Sequence, residues 1–116
     1  MDTIETQLQQ AQCDFFQERA QMLRFQAKID ILNVKINGLI EFITRTETEQ
    51  QLSLNKMDNG VTFDAARSAA NRVALDNARS ELEDRREDRM ACLEGHKVLQ
   101  MKVSKLYNKV QELMGL

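Results

Sequence analysis

The chain has 116 residues, no proline, four glycines, 29% charged residues and a formal net charge of −2. That length admits one domain, and that composition favours long helices over sheet. The charge is too small to imply a polyanionic partner, and its halves differ little: residues 1–60 carry nine acids and six bases, residues 61–116 nine and ten.

The first predicted element opens at residue 3. Asp2 and Glu5 resemble a capping box with Asp in place of Ser or Thr, and both acids suit the positive end of a helix dipole. From there the apolar residues alternate at spacings of three and four: Ile4, Leu8, Ala11, Phe15, Met22, Phe25, Ile29, Leu32, Ile36, Leu39 and Ile43. This is the seam of a coiled coil, broken only by Glu18. A second apolar row runs along the other side of the same helix: Phe16, Ala20, Leu23, Ala27, Ile31 and Val34. A helix that is apolar on two faces needs cover on two faces. Thr44, Thr46 and Thr48 then lower helix propensity through their stiff χ1 angles, but the helix is expected to run on to residue 57.

Met57-Asp58-Asn59-Gly60 carries the strongest turn signal in the chain, with Gly60 suited to the left-handed position past a helix end. Thr62 is the expected cap of a second helix, with Asp64 in its first turn. The reading is a single domain over residues 1–116: helix 3–57, turn 57–61, helix 62–114. Its fold class is all-α, a long antiparallel helical hairpin of coiled-coil type.

The second helix keeps a heptad of its own. Leu75, Leu82, Val103 and Val110 hold one seam position; Ala78, Cys92, Leu99, Leu106 and Leu113 hold the other. Arg85, Arg89 and His96 fall in the same phase, where a dry core would not place them. Gly95 costs about 1 kcal/mol inside a helix and marks the one place where a break would turn two helices into three. Folding at the turn sets residue i level with roughly residue 119 − i. Glu18 then lies level with Lys102 and Lys105, one of which is expected to answer it. The apolar segment 29–43 meets the most charged part of the second helix, leaving Ile40 and Phe42 over along with the outer row. Large side chains in one strip exceed what soluble monomers usually expose, so a partner is expected there. A second copy is the simplest, completing a four-helix bundle by dimerisation.

Candidates for chemistry are few. One histidine excludes most acid–base and nucleophilic constellations. Cys92 and His96 stand one turn apart, a spacing that metal ligands use, with no further Cys or His level with them. Cys13 and Cys92 lie ~20 Å apart along the hairpin axis, beyond the reach of a disulfide, and are expected as free thiols. There is no glycine-rich phosphate loop. Lys97, Lys102, Lys105 and Lys109 form a short basic row that suits a helix C-terminus, with too few aromatics for a nucleic-acid footprint. No apolar run approaches the ~18 residues of a membrane span, and no leader pattern is present, so the cytoplasm is the expected setting.

These features lead to a non-enzymatic protein with no catalytic, cofactor or metal site. No small-molecule substrate, nucleic acid or membrane insertion is expected. It works by helix–helix contact, as a homodimer or with a helical protein partner. The expected interaction residues are Phe16, Ala20, Leu23, Ala27, Ile31, Val34, Ile40 and Phe42. Two functional classes fit: a self-associating structural or adaptor protein, and a small helical chaperone or escort of secretion/export type that holds a partner's amphipathic helix. A permanent interface is regular, a binding groove Met-rich and irregular. The outer row is regular, which favours self-association.

Overall fold

A computed structural model of the protein describes residues 3–58 and 64–116, and for residues 57 and 58 the backbone only. Two helices, α1 (Ile4–Asp58) and α2 (Ala65–Leu113), pack as an antiparallel helical hairpin, with no strand among the described residues.

The helix ends follow local chemistry. Thr3 caps α1: its hydroxyl accepts from the Thr6 amide at 3.1 Å. This satisfies one of the donors a helix start leaves open. The Asp2 half of the expected capping box lies outside the described residues. Asp64 caps α2, its Oδ1 accepting from the Arg67 amide at 3.0 Å. The second helix therefore begins at Ala65 rather than 62; Asp64 is its cap and not a first-turn residue. Thr62, the expected cap, lies outside the described residues, as do Asn59 and Gly60 of the expected turn. At the far end the Leu116 amide donates to the Gln111 carbonyl (3.0 Å) and the Gly115 amide to that of Glu112 (3.1 Å). With Gly115 at φ 76°, this is a Schellman motif.

The helices divide into two compact units, residues 1–31 with 89–116 and residues 32–88. The second unit holds most of the dry core. Leu32, Ile36, Leu75, Ala78 and Leu82 are buried, and Ile36 at 2% exposure is the most completely enclosed large side chain. Burying an aliphatic side chain of this size contributes ~1.5–3 kcal/mol. Toward residue 58 the seam turns polar. Thr46 is buried, and Gln50 Nε2 donates to the carbonyl and hydroxyl of Ser68 (3.1 and 3.3 Å). Asn71 Nδ2 completes the set by donating to Gln50 Oε1 (3.4 Å). The helix holds through the threonines, with the Thr48 hydroxyl donating to the Thr44 carbonyl one turn back.

In the first unit only Ala11, Ile29 and Leu99 of the seam are buried; Phe15, Met22 and Phe25 are half-buried. Phe15 lies against Tyr107 with ring centroids 6.0 Å apart. Gly95 does not break α2. A Cβ there would stand 2.9 Å from Phe25 Cζ and 3.0 Å from its Cε1, so the missing side chain is the space the ring occupies. This contact, Phe15 with Tyr107, and Gln50 with Ser68 all agree with the register read from the turn.

Candidate functional site

Between residues 15 and 31 the seam and the outer row of α1 differ in exposure, although Ile4 at the start of the seam is itself 69% exposed. In the first unit Phe16 is 61% exposed, Leu23 54% and Ile31 57%, and Ala20 and Ala27 are exposed with them. The neighbouring seam residues Met22 and Phe25 are half-buried, and Ile29 is buried. The reason is angular. Successive residues turn by about 100°, so a row offset by one residue from a heptad seam points away from the helix the seam packs on. Phe16 meets its seam neighbour Phe15 edge to face at 5.4 Å. Ala20 forms part of the lining of an open depression of about 440 Å³ with Gln17, Glu18, Gln21 and Arg24. In the second unit Val34 is exposed to 73%. Ile40 lies at the margin of exposure and Phe42 is half-buried. By heptad position these two flank the seam rather than extend the outer row.

Exposed charges border this surface at Arg19, Arg24 and Asp30. Arg24 donates to Gln21 (3.1 Å), and Asp30 accepts from Gln26 (3.0 Å), so both are held along their own helix. Glu18, Lys102 and Lys105 do come together, with Asp14 and Leu106, around one depression. No ion pair within 4.0 Å closes among these charges, so the level is as expected and the contact is not.

A second set of exposed apolar side chains appears on α2 within the first unit: Met90, Leu93, Val98, Met101 and Tyr107. The sequence reading missed it. The signal was present, since all five fall outside the α2 heptad, but Glu94 and Lys97 interrupt them and no regular row emerges. Comparison with family models, with curated proteins and with solved structures finds no match to this chain.

For other chemistry the arrangement is sparse. Cys13 is exposed and Cys92 half-buried, both as free thiols. His96 is half-buried one turn from Cys92. No group of three His, Cys, Asp or Glu side chains gathers among the described residues. Nor is any described helix long and apolar enough to cross a membrane.

Proposed function

We propose that this protein is a non-enzymatic helix-pairing module that self-associates through the outer face of α1 and so acts as a structural or adaptor element. The observation that carries this reading is the exposure of Phe16, Leu23 and Ile31 at helical spacing, on a side of α1 turned away from seam residues Met22, Phe25 and Ile29, which are half-buried or buried. Four helices result when two hairpins join in this way. Two free thiols fit a reducing, cytoplasmic setting.

The test replaces Leu23 and Ile31 together by Lys. Both side chains are exposed in the single chain, so helicity and melting of the hairpin should hold. Each lysine would be buried only on assembly, and association should weaken by several kcal/mol. Light scattering and circular dichroism on the wild type and the variant measure the two effects separately. A variant that keeps the wild-type mass removes the outer row as an interface.

One observation favours a second reading. The exposed side chains on α2 include Met90 and Met101 at irregular spacing, and methionine is common on surfaces that adapt to varied partner helices. On this reading the protein is a small chaperone or escort, and the α2 face holds the partner. Leu93→Lys with Met101→Lys would then abolish partner capture and leave the self-associated mass unchanged.

A further inference from the structure

We infer that α2 between residues 97 and 109 holds a partner helix that carries acidic side chains on either side of an apolar one. This rests on the second reading above, in which α2 holds the partner, and names that partner's chemistry. Between Glu94 and Glu112, α2 has no acidic residue and four lysines, Lys97, Lys102, Lys105 and Lys109, all exposed. The helix dipole does not account for them. Its attraction for cations is confined to the last turn, and the last turn of α2 contains no basic residue. None of the four lysines is in an ion pair among the described residues, whereas Arg67, Arg79 and Arg85 of the same helix each reach a carboxylate within 4.0 Å. Asp14 and Glu18 share a depression with Lys102 and Lys105 and offset those two at longer range. Lys97 and Lys109 have only Glu94 and Glu112, three residues away along their own helix.

The lysines frame apolar surface. Lys97, Met101 and Lys105 follow one another at spacings of four, so they lie in one row along α2 over ~12 Å. Met101 is 57% exposed and Val98 beside it 54%. The row, with Gln100 and Ser104, lines an open depression of about 440 Å³. A second helix has the same rise per residue. Acids seven or eight residues apart on it would therefore reach both lysines, while an apolar residue between them covers Met101. Rim charges of this kind select among partners and speed their encounter more than they add affinity. The occupant's length is bounded as well. Glu94 and Glu112 fall on the same side of α2 as Met101, ~27 Å apart, and would repel acids placed further out. A flat anionic bilayer would meet both carboxylates, whereas a helix of about four turns fits between them.

Fluorescence anisotropy with labelled synthetic peptides tests this on the full chain. Three alanine-rich helical peptides carry a central Leu flanked four residues away on each side by Glu, by Gln or by Lys. The Glu peptide is expected to bind about tenfold tighter than the other two, with an advantage that shrinks as salt is raised. Lys97→Glu with Lys105→Glu should lose the Glu peptide and gain the Lys peptide. Both positions are exposed, so the variant's circular dichroism should match the wild type. Should Lys105→Glu, beside Asp14 and Glu18, lower the melting temperature, Lys97→Glu alone carries the test. Equal binding of the Glu and Gln peptides overturns the acidic partner and leaves the α2 reading standing. Binding of none overturns both. Two further results overturn the acidic helix as occupant. One is adsorption to phosphatidylserine vesicles, lost in the variant, in place of peptide binding. The other is a wild-type mass in light scattering that the same substitutions lower, which would put a second copy on this face.

Discussion

The two units of the hairpin use their apolar residues differently. In residues 32–88 large aliphatics of the seam turn inward: Leu32, Ile36, Leu75 and Leu82 are buried, while Val34, Leu52, Leu54 and Val73 are exposed as scattered single side chains. In the unit built from residues 1–31 and 89–116 the seam is looser, with Phe15, Met22, Phe25 and Cys92 only half-buried, while Phe16, Leu23 and Ile31 face outward. One unit concentrates stability in its own helix pair. The other leaves more of its large apolar side chains exposed. Two cross-helix ion pairs, Glu47 with Arg79 and Glu49 with Arg67, lie within residues 32–88.

The sharpest way to break this comparison is to strike the buried seam. Ile36→Ala should cost about 2–5 kcal/mol, because the transfer energy is lost and a void remains in a packed site. Ile36→Lys should unfold the hairpin. Urea denaturation followed by circular dichroism measures both. If Ile36→Ala costs no more than truncating the exposed Leu23, the core does not reside where the burial pattern places it.

Gly95 probes the looser unit. Gly95→Ala restores about 1 kcal/mol of helix propensity, but its new Cβ meets the Phe25 ring at 2.9 Å. Overpacking of that kind costs about 1–3 kcal/mol, so the single substitution should lower the melting temperature. Phe25→Leu removes the ring, and Gly95→Ala in that background should raise the melting temperature instead. A four-protein cycle of melts decides it; the same sign in both backgrounds would mean that the ring does not need the space.

Much of this was legible in the sequence because heptad spacing fixes which residues share a face. The antiparallel hairpin, the register and both faces of α1 follow from it. Three things did not follow. The cap at Asp64 lies two positions past the expected Thr62, since both are good caps and spacing alone does not choose between them. Gly95 read as a candidate break because propensity is local, whereas its role depends on a ring seventy residues earlier in the chain. Gln50 lies in the polar stretch after the threonines, and nothing in the spacing tied it to Ser68 and Asn71 of α2; the three are the polar continuation of the seam, and polar seam positions of this type set register.

Arg85 tests whether the inward unit tolerates its one awkward seam residue. Its guanidinium reaches Glu81 at 3.6 Å and Asp88 at 4.0 Å, yet Nε is buried with no hydrogen-bond partner. An unmade buried hydrogen bond costs about 1–3 kcal/mol, and the two ion pairs are exposed enough to return little of it. Arg85→Leu should therefore stabilise the hairpin by roughly 1 kcal/mol. A higher urea midpoint at unchanged slope is the expected result. A lower midpoint would show that the charge is satisfied in solution and that the seam there is wet.

The smallest effect belongs to the ion pair that bridges the helices in the same unit. Arg79 donates to Glu47 at 2.8 Å, with both side chains about half exposed and Asp76 4.0 Å away on the other side of the guanidinium. The distance is short, but solvent screens the pair and both long side chains lose rotamer freedom in making it. Exposed pairs measured in this way contribute about 0.2–1 kcal/mol. A double-mutant cycle of Glu47→Gln and Arg79→Gln should return a coupling in that range, falling as salt is raised and the Debye length shortens. Its value lies in position more than size. Glu47 and Arg79 are thirty-two residues apart in sequence, so any coupling at low salt places these two turns side by side in solution. Zero coupling at low salt, with both single variants folded, would mean that the register around residues 47 and 79 differs from the one described.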